Sequence, residues 1–140
     1  MAEPFSYAVL RLVDAGTLQL DAPVSRYLPG DYSADPRAAR ITIRQALTHT
    51  TGFPNWRSSP RELPVYFDPG ERFSYSGEGF EYLQHAVERV TGQTLDALMR
   101  RLVFDPLNMK LALVWQISAQ SRSRRTWASW PWAAPRSPRK

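Results

Sequence analysis

Residues 67–92 read FDPGERFSYSGEGFEYLQHAVERVTG. The first ten hold Pro69 and Gly70 and show no apolar period, so they predict a loop. Phe80, Leu83, Val87 and Val90 then recur at three- and four-residue steps, which predicts a helix over about 78–91 with Gly92 as its cap. Tyr75-Ser76-Gly77 therefore stands at a loop-to-helix junction. Downstream, Thr94 is a candidate N-cap, and Leu95, Leu98, Met99, Leu102 and Val103 carry a helical stripe as far as Asp105-Pro106. Upstream, Thr42 with Gln45 makes a capping-box pattern for a short helix through Ile43, Ala46 and Leu47, ended by Gly52-Phe53-Pro54.

Residues 53–74, rich in proline and aromatic groups, predict a loop crossing the surface of the core. Asp21-Ala-Pro, Leu28-Pro29-Gly30 and Asp35-Pro36 break up residues 18–36, which predicts an ordered but irregular segment. Phe5, Ala8, Val9, Leu12 and Val13 share one helical face, giving a helix over 5–15 before Gly16. Residues 111–115 are the one stretch that resembles a strand. The expected fold is mainly α with irregular loops.

With 140 residues, 43% of them hydrophobic and 22% charged, the chain suits one small domain. It has no cysteine, which excludes disulfides, thiolate metal sites and a cysteine nucleophile. No apolar run is long enough to cross a bilayer. The net charge of +5 is unevenly spread. Six of the eighteen basic side chains, among them Arg122, Arg136 and Lys140, lie in 117–140, where there is no acid; the first 116 residues keep twelve basic and thirteen acidic groups. The expected organisation is a near-neutral body, 1–116, and a basic, disordered tail, 117–140, holding Trp127, Trp130 and Trp132 without a pattern that could bury them.

Several motifs in order are more specific than any one of them. Val9-Leu-Arg-Leu-Val-Asp-Ala-Gly16, Leu18-Gln-Leu-Asp21-Ala-Pro-Val24, Tyr27-Leu-Pro29 and Ile41-Thr-Ile-Arg-Gln-Ala-Leu-Thr-His49-Thr-Thr-Gly52 are followed by Phe67-Asp-Pro-Gly70-Glu-Arg-Phe-Ser-Tyr75-Ser76-Gly77, Leu83 through Gly92, and Pro106-Leu-Asn-Met109. Over about 110 residues this series resembles the serine β-lactamase and penicillin-binding-protein-like hydrolases of the class C type. The resemblance implies the helical region of a β-lactamase/transpeptidase-like α+β fold without most of its antiparallel sheet. It implies acyl-enzyme hydrolysis of a β-lactam, a D-amino-acid peptide or an ester, by a serine in S-x-x-K helped by a tyrosine in Y-x-N and a K-T-G-like strand.

Under the resemblance Tyr75 takes the general-base position, Ser76 and Gly77 border substrate with Gly77 in place of the usual Asn, and Trp56 lines the cleft. Glu3-Pro4-Phe5 aligns with K-P-x, so Glu3 stands at the lysine and the serine is expected to precede Met1. A phenol works as a base near neutrality only where cations stabilise its phenolate. With a carboxylate at the lysine position, Tyr75 is expected to stay protonated and the chain to be an inactive internal fragment. The one literal S-x-x-K, Ser137 to Lys140, is read as chance.

The other candidates have plainer readings. His49 is expected to cap the turn after its short helix, and His85 to face solvent or a loop; neither suggests a metal site. Glu78 and Glu81 are read as partners of the helix dipole rather than a carboxylate pair. Trp56, Tyr66 and Phe67 fit a cleft or a core equally well. No cofactor is implied. The partner expected is a small-molecule or peptide substrate, with self-association through faces left without the sheet. The tail would suit an anionic nucleic acid or membrane, but its abrupt composition reads more simply as a shifted frame, so no specific nucleic acid is expected. Two rivals stand beside the inactive fragment: an enzyme completed by another chain, and a noncatalytic binding module. Relatives are often exported, and the compartment is left open.

Overall fold

Helix α1 (Ala2–Asp14) commits to the core along its length, burying Phe5, Ala8, Val9 and Leu12 on one face, in a computed structural model that describes residues 2–109. Three further helices follow, α2 (Ile43–Leu47), α3 (Gly77–Thr91) and α4 (Leu95–Met99). Helix α3 packs on α2 and α4, and Phe5 of α1 meets Phe80 of α3 at 5.9 Å between ring centroids. The core between them holds Tyr82, Leu83, Ala86 and Val87 of α3 and Leu98 and Met99 of α4. Strand pairing among the described residues is limited to two isolated bridges, Pro23 with Thr42 and Ser59 with Glu62. The structure is the helix-rich part of the expected fold.

Local signals explain the helix ends. Thr42 Oγ1 accepts from Gln45 N at 3.1 Å while Gln45 Oε1 accepts from Thr42 N at 3.0 Å, the reciprocal capping box that starts α2. Ser76 caps α3 by accepting from Gly79 N at 2.9 Å, and Gly92 closes it in the left-handed conformation. Thr94 caps α4 as expected, accepting from Ala97 N at 3.2 Å. The stripe predicted to run unbroken to Val103 changes pitch instead. From Arg100 to Phe104 the chain makes a π-helical turn, closed by Asp105 N donating to Arg100 O at 2.9 Å. The wider turn brings three consecutive apolar residues, Leu102, Val103 and Phe104, into the core, which a regular helical stripe would not.

The irregular segments are structural. In the 18–36 segment and its continuation, Leu18, Val24, Leu28, Tyr32, Ala38 and Ile41 are all buried, and Val24 N donates to Ile41 O at 2.8 Å. Asp35 caps the short 3₁₀ turn Pro36–Arg40, and Arg37 beside it holds the Asp35 carboxyl below its ordinary value. The expected loop over 53–74 is tied edgewise to residues 49–52. Tyr66 N donates to Gly52 O at 2.9 Å, Gly70 N to Thr50 O at 2.7 Å and Ser74 N to His49 O at 2.8 Å. The expected strand at 111–115 and the basic tail at 117–140 lie outside the described residues.

Candidate active site

Three segments converge on the start of α3. The first is the loop ending in Tyr75, whose side chain is 54% exposed and whose hydroxyl makes no hydrogen bond among the described residues. The second is His49, after α2, which takes a positive φ of 55°. Its ring stacks on Tyr75 at 4.3 Å and 27°, and its Nδ1 accepts from Ser76 N at 3.1 Å. The third is Asn55-Trp56-Arg57. Asn55 Oδ1 accepts from Gly77 N and Asn55 O from Glu78 N, each at 3.0 Å.

That third segment brings Trp56 against the glycine of the tyrosine motif. A Cβ on Gly77 would lie 2.7 and 2.8 Å from Cζ2 and Cη2 of the indole, so only glycine admits this approach. Trp56 remains 57% exposed. Tyr75 and Trp56 thus border the first turn of α3 from two sides, both open to solvent.

Beneath Trp56 lies a buried charge pair. Arg57 Nη2 and Glu78 Oε2 are 2.8 Å apart, with the Glu78 side chain 3% exposed. Glu78 also accepts from Arg57 N and Nε and, at 3.3 Å, from the Tyr32 hydroxyl. Tyr32 stacks on Tyr82 at 4.2 Å, and the Arg57 guanidinium lies 5.1 Å over the Tyr32 ring. Burial, then the Glu78 charge, push the Tyr32 phenol well above its ordinary value, so it donates and does not ionise. Sequence reasoning assigned Glu78 to the helix dipole. It does stand in the first turn of α3, and it is also a tertiary partner, because that position points under the Asn55–Arg57 loop.

Other expectations are sorted by burial. Ser76, expected beside substrate, has a buried hydroxyl that donates to Pro54 O at 2.8 Å and accepts from Gly79 N, so it holds the turn. Glu3 is exposed on the first turn of α1 and lines an open groove with Ser6, Tyr7, Leu10, Leu47, His49 and Phe80. His49 therefore lies between the Glu3 groove and the Tyr75 ring. Its expected role as a turn cap was too local, since its main partners are 24 to 31 residues downstream. Burial holds its imidazole below the ordinary 6.5.

His85, expected at the surface, is buried, with Nε2 3.7 Å from Glu81 Oε1 one turn away. Phe67 joins the interior under the Arg72 guanidinium, whereas Tyr66 is 68% exposed. Among the described residues no group of acids and histidines could hold a metal, and no helix is long and apolar enough to cross a membrane. Arg57 was missed altogether; at 21 residues from Glu78 nothing local in the sequence marks the pairing.

Comparison with known proteins points one way. The Beta-lactamase family model matches residues 5–140, spanning body and tail alike. Esterase EstB of Burkholderia gladioli is 36% identical over 133 residues, covering 74% of this chain and 34% of the esterase. Penicillin-binding protein 4 of Amycolatopsis lactamdurans is 32% identical over 117 residues, covering 72% of this chain and 31% of that protein. The crystal structure of a penicillin-binding protein from Bacillus halodurans superposes with a TM-score of 0.62 at 30% identity, over 78% of this chain and 38% of that one. The chain spans about a third of the length of these relatives.

Proposed function

This chain belongs to the β-lactamase family, and from that premise we propose that it carries the tyrosine-bearing part of a serine acyl-enzyme hydrolase and has no turnover as given. Tyr75 is the phenol that faces the reacting centre, Trp56 and Gly77 form the adjoining wall, and Ser76 fixes the turn that carries Tyr75. The substrate class is a carbonyl compound open to acyl transfer, an ester, peptide or β-lactam, in line with the esterase and penicillin-binding names of the relatives. The observation that supports this most is the placement of an exposed phenol just before α3 and of an exposed indole against Gly77, with the Ser76 and Gly77 amides between them bonded to His49 and Asn55.

The proposed absence of turnover is supported by the residue at the lysine position. A serine nucleophile is activated by an adjacent base. The S-x-x-K lysine position holds Glu3, an acceptor that cannot supply the cation a phenolate requires. The purified 140-residue chain is expected to give no band with a fluorescent penicillin or a fluorophosphonate. A band, or ester hydrolysis lost in Tyr75→Phe, refutes inactivity. Grafting residues 5–109 in place of the matching segment of the Burkholderia esterase tests the positive half: activity should survive in the graft and fall at least about a hundredfold in its Tyr75→Phe version. Exposed Tyr66, Phe73 and Tyr75 also favour self-association, which gel filtration over a concentration series reads.

A further inference from the structure

His49 is held in a conformation that a bulky residue does not choose. Its φ of 55° carries a cost on the order of 1 kcal/mol for a non-glycine. The surroundings fix it there: its own N–H donates to Ala46 O at 3.3 Å, and its carbonyl accepts from Ser74 N at 2.8 Å. In this pose the ring lies among three aromatic groups, Tyr75 at 4.3 Å, Phe80 at 4.7 Å and Phe73 edge-on at 5.9 Å. Its Nδ1 meets the Ser76 N–H at 3.1 Å. A nitrogen that accepts an N–H keeps its lone pair, so the ring is neutral and its proton is on Nε2.

We propose that His49 is the positioning residue of the tyrosine motif: its neutral ring supports the Tyr75 phenol and anchors Ser76, and protonation at Nδ1 releases both. The protonated nitrogen would present a donor to the Ser76 N–H, two donors face to face, and the turn must open. The groups around the ring act in opposite directions. Glu3 from α1 favours the imidazolium, while the rings of Phe80 from α3 and of Phe73 and Tyr75 from the 67–76 loop cover part of the imidazole and favour the neutral form; Tyr7 of α1 lines the same groove. The functional consequence rests on Tyr75 being the reacting phenol; the coupling between His49 and the turn does not.

The test uses the whole chain, labelled for NMR and titrated from pH 8 to pH 5. The His49 ring should show the Nε2–H tautomer at pH 8, and the Ser76 amide and Tyr75 ring signals should move with the His49 midpoint and not with that of His85. His49→Asn keeps an acceptor where Nδ1 stood and tolerates positive φ, so Ser76 should stay protected and lose its pH dependence. His49→Leu should speed Ser76 amide exchange by roughly fivefold or more, the loss of one hydrogen bond. The proposal is overturned if the Ser76 and Tyr75 signals in the unaltered chain stay still through the His49 midpoint, or if their pH dependence persists in His49→Asn. Such a failure leaves the esterase graft untouched, and failure of the graft leaves this coupling in place.

Discussion

Replacing Arg57 with alanine should be among the most damaging single changes available in the described residues. The guanidinium satisfies both oxygens of Glu78, with contacts of 2.8 Å from Nη2 and 3.1 Å from Nε to each oxygen. The two side chains are 12% and 3% exposed. Removing the cation leaves a carboxylate shielded from water with only the Arg57 backbone N–H, if that loop holds, and the Tyr32 hydroxyl. Breaking a buried pair in this way costs about 3–5 kcal/mol, because the remaining charge is uncompensated. A domain of this size holds roughly 5–15 kcal/mol in all, so at least about a fifth of it is at stake. With a urea slope of about 1–3 kcal/mol per molar, the midpoint should fall by about 1–5 M. Arg44→Ala is the control: its contact with Asp21 is as short, 2.7 Å, but the side chains are 55% and 77% exposed, and water replaces what is lost. The pair Arg57→Met with Glu78→Leu should recover most of the loss, since no bare charge is left inside. If Arg57→Ala lies within about 1 kcal/mol of the unaltered chain, or shifts no further than Arg44→Ala, then the Glu78 carboxylate is not desolvated and the reasoning fails.

Gly77→Ala should drive the Trp56 indole off the start of α3, read as a change in Trp56 fluorescence and the loss of NOEs between the indole and residue 77, with α3 intact by circular dichroism; unchanged indole signals would mean that Trp56 does not rest there. Gly52→Ala meets the Phe67 carbonyl and places Val65 Cγ1 at 2.9 Å, at a φ of +86°, so it should cost at least about 2 kcal/mol in urea unfolding, more than Gly16→Ala, where nothing lies within 4 Å. Acid should weaken the fold through His49. Burial lowers its folded value, so between that value and the unfolded 6.5 the unfolded chain binds more protons, and stability is complete above about 6.5 and lost as the pH falls below it. Urea midpoints at pH 7.5 and 5.5 should show the drop, and His49→Asn should reduce it.

The helices were legible because their signals are short-range. The Thr42–Gln45 box, the Thr94 cap and the Gly92 stop each involve groups within four residues of one another, and the apolar stripes of α1 and α3 repeat within a turn. Where the stripe misled, at Arg100–Phe104, the need to bury three neighbouring apolar residues overrode regular pitch. Motif order is what puts Tyr75 forward as a site candidate, since order survives without knowing contacts.

What the sequence determined by itself is therefore the helical frame and the family, both written in neighbours along the chain. Which groups meet was decided by the tertiary structure: Ser76 with His49 across 27 residues, Arg57 with Glu78 across 21, Tyr32 with Glu78 across 46. Those meetings depend on where irregular loops turn, and the turns at His49 and Gly52 rest on positive φ angles stabilised by contacts that form only once the core has closed. Burial then sets the energetics. The same arginine–carboxylate contact is negligible at the surface between Arg44 and Asp21 and dominant between Arg57 and Glu78, because water screens the first and is excluded from the second.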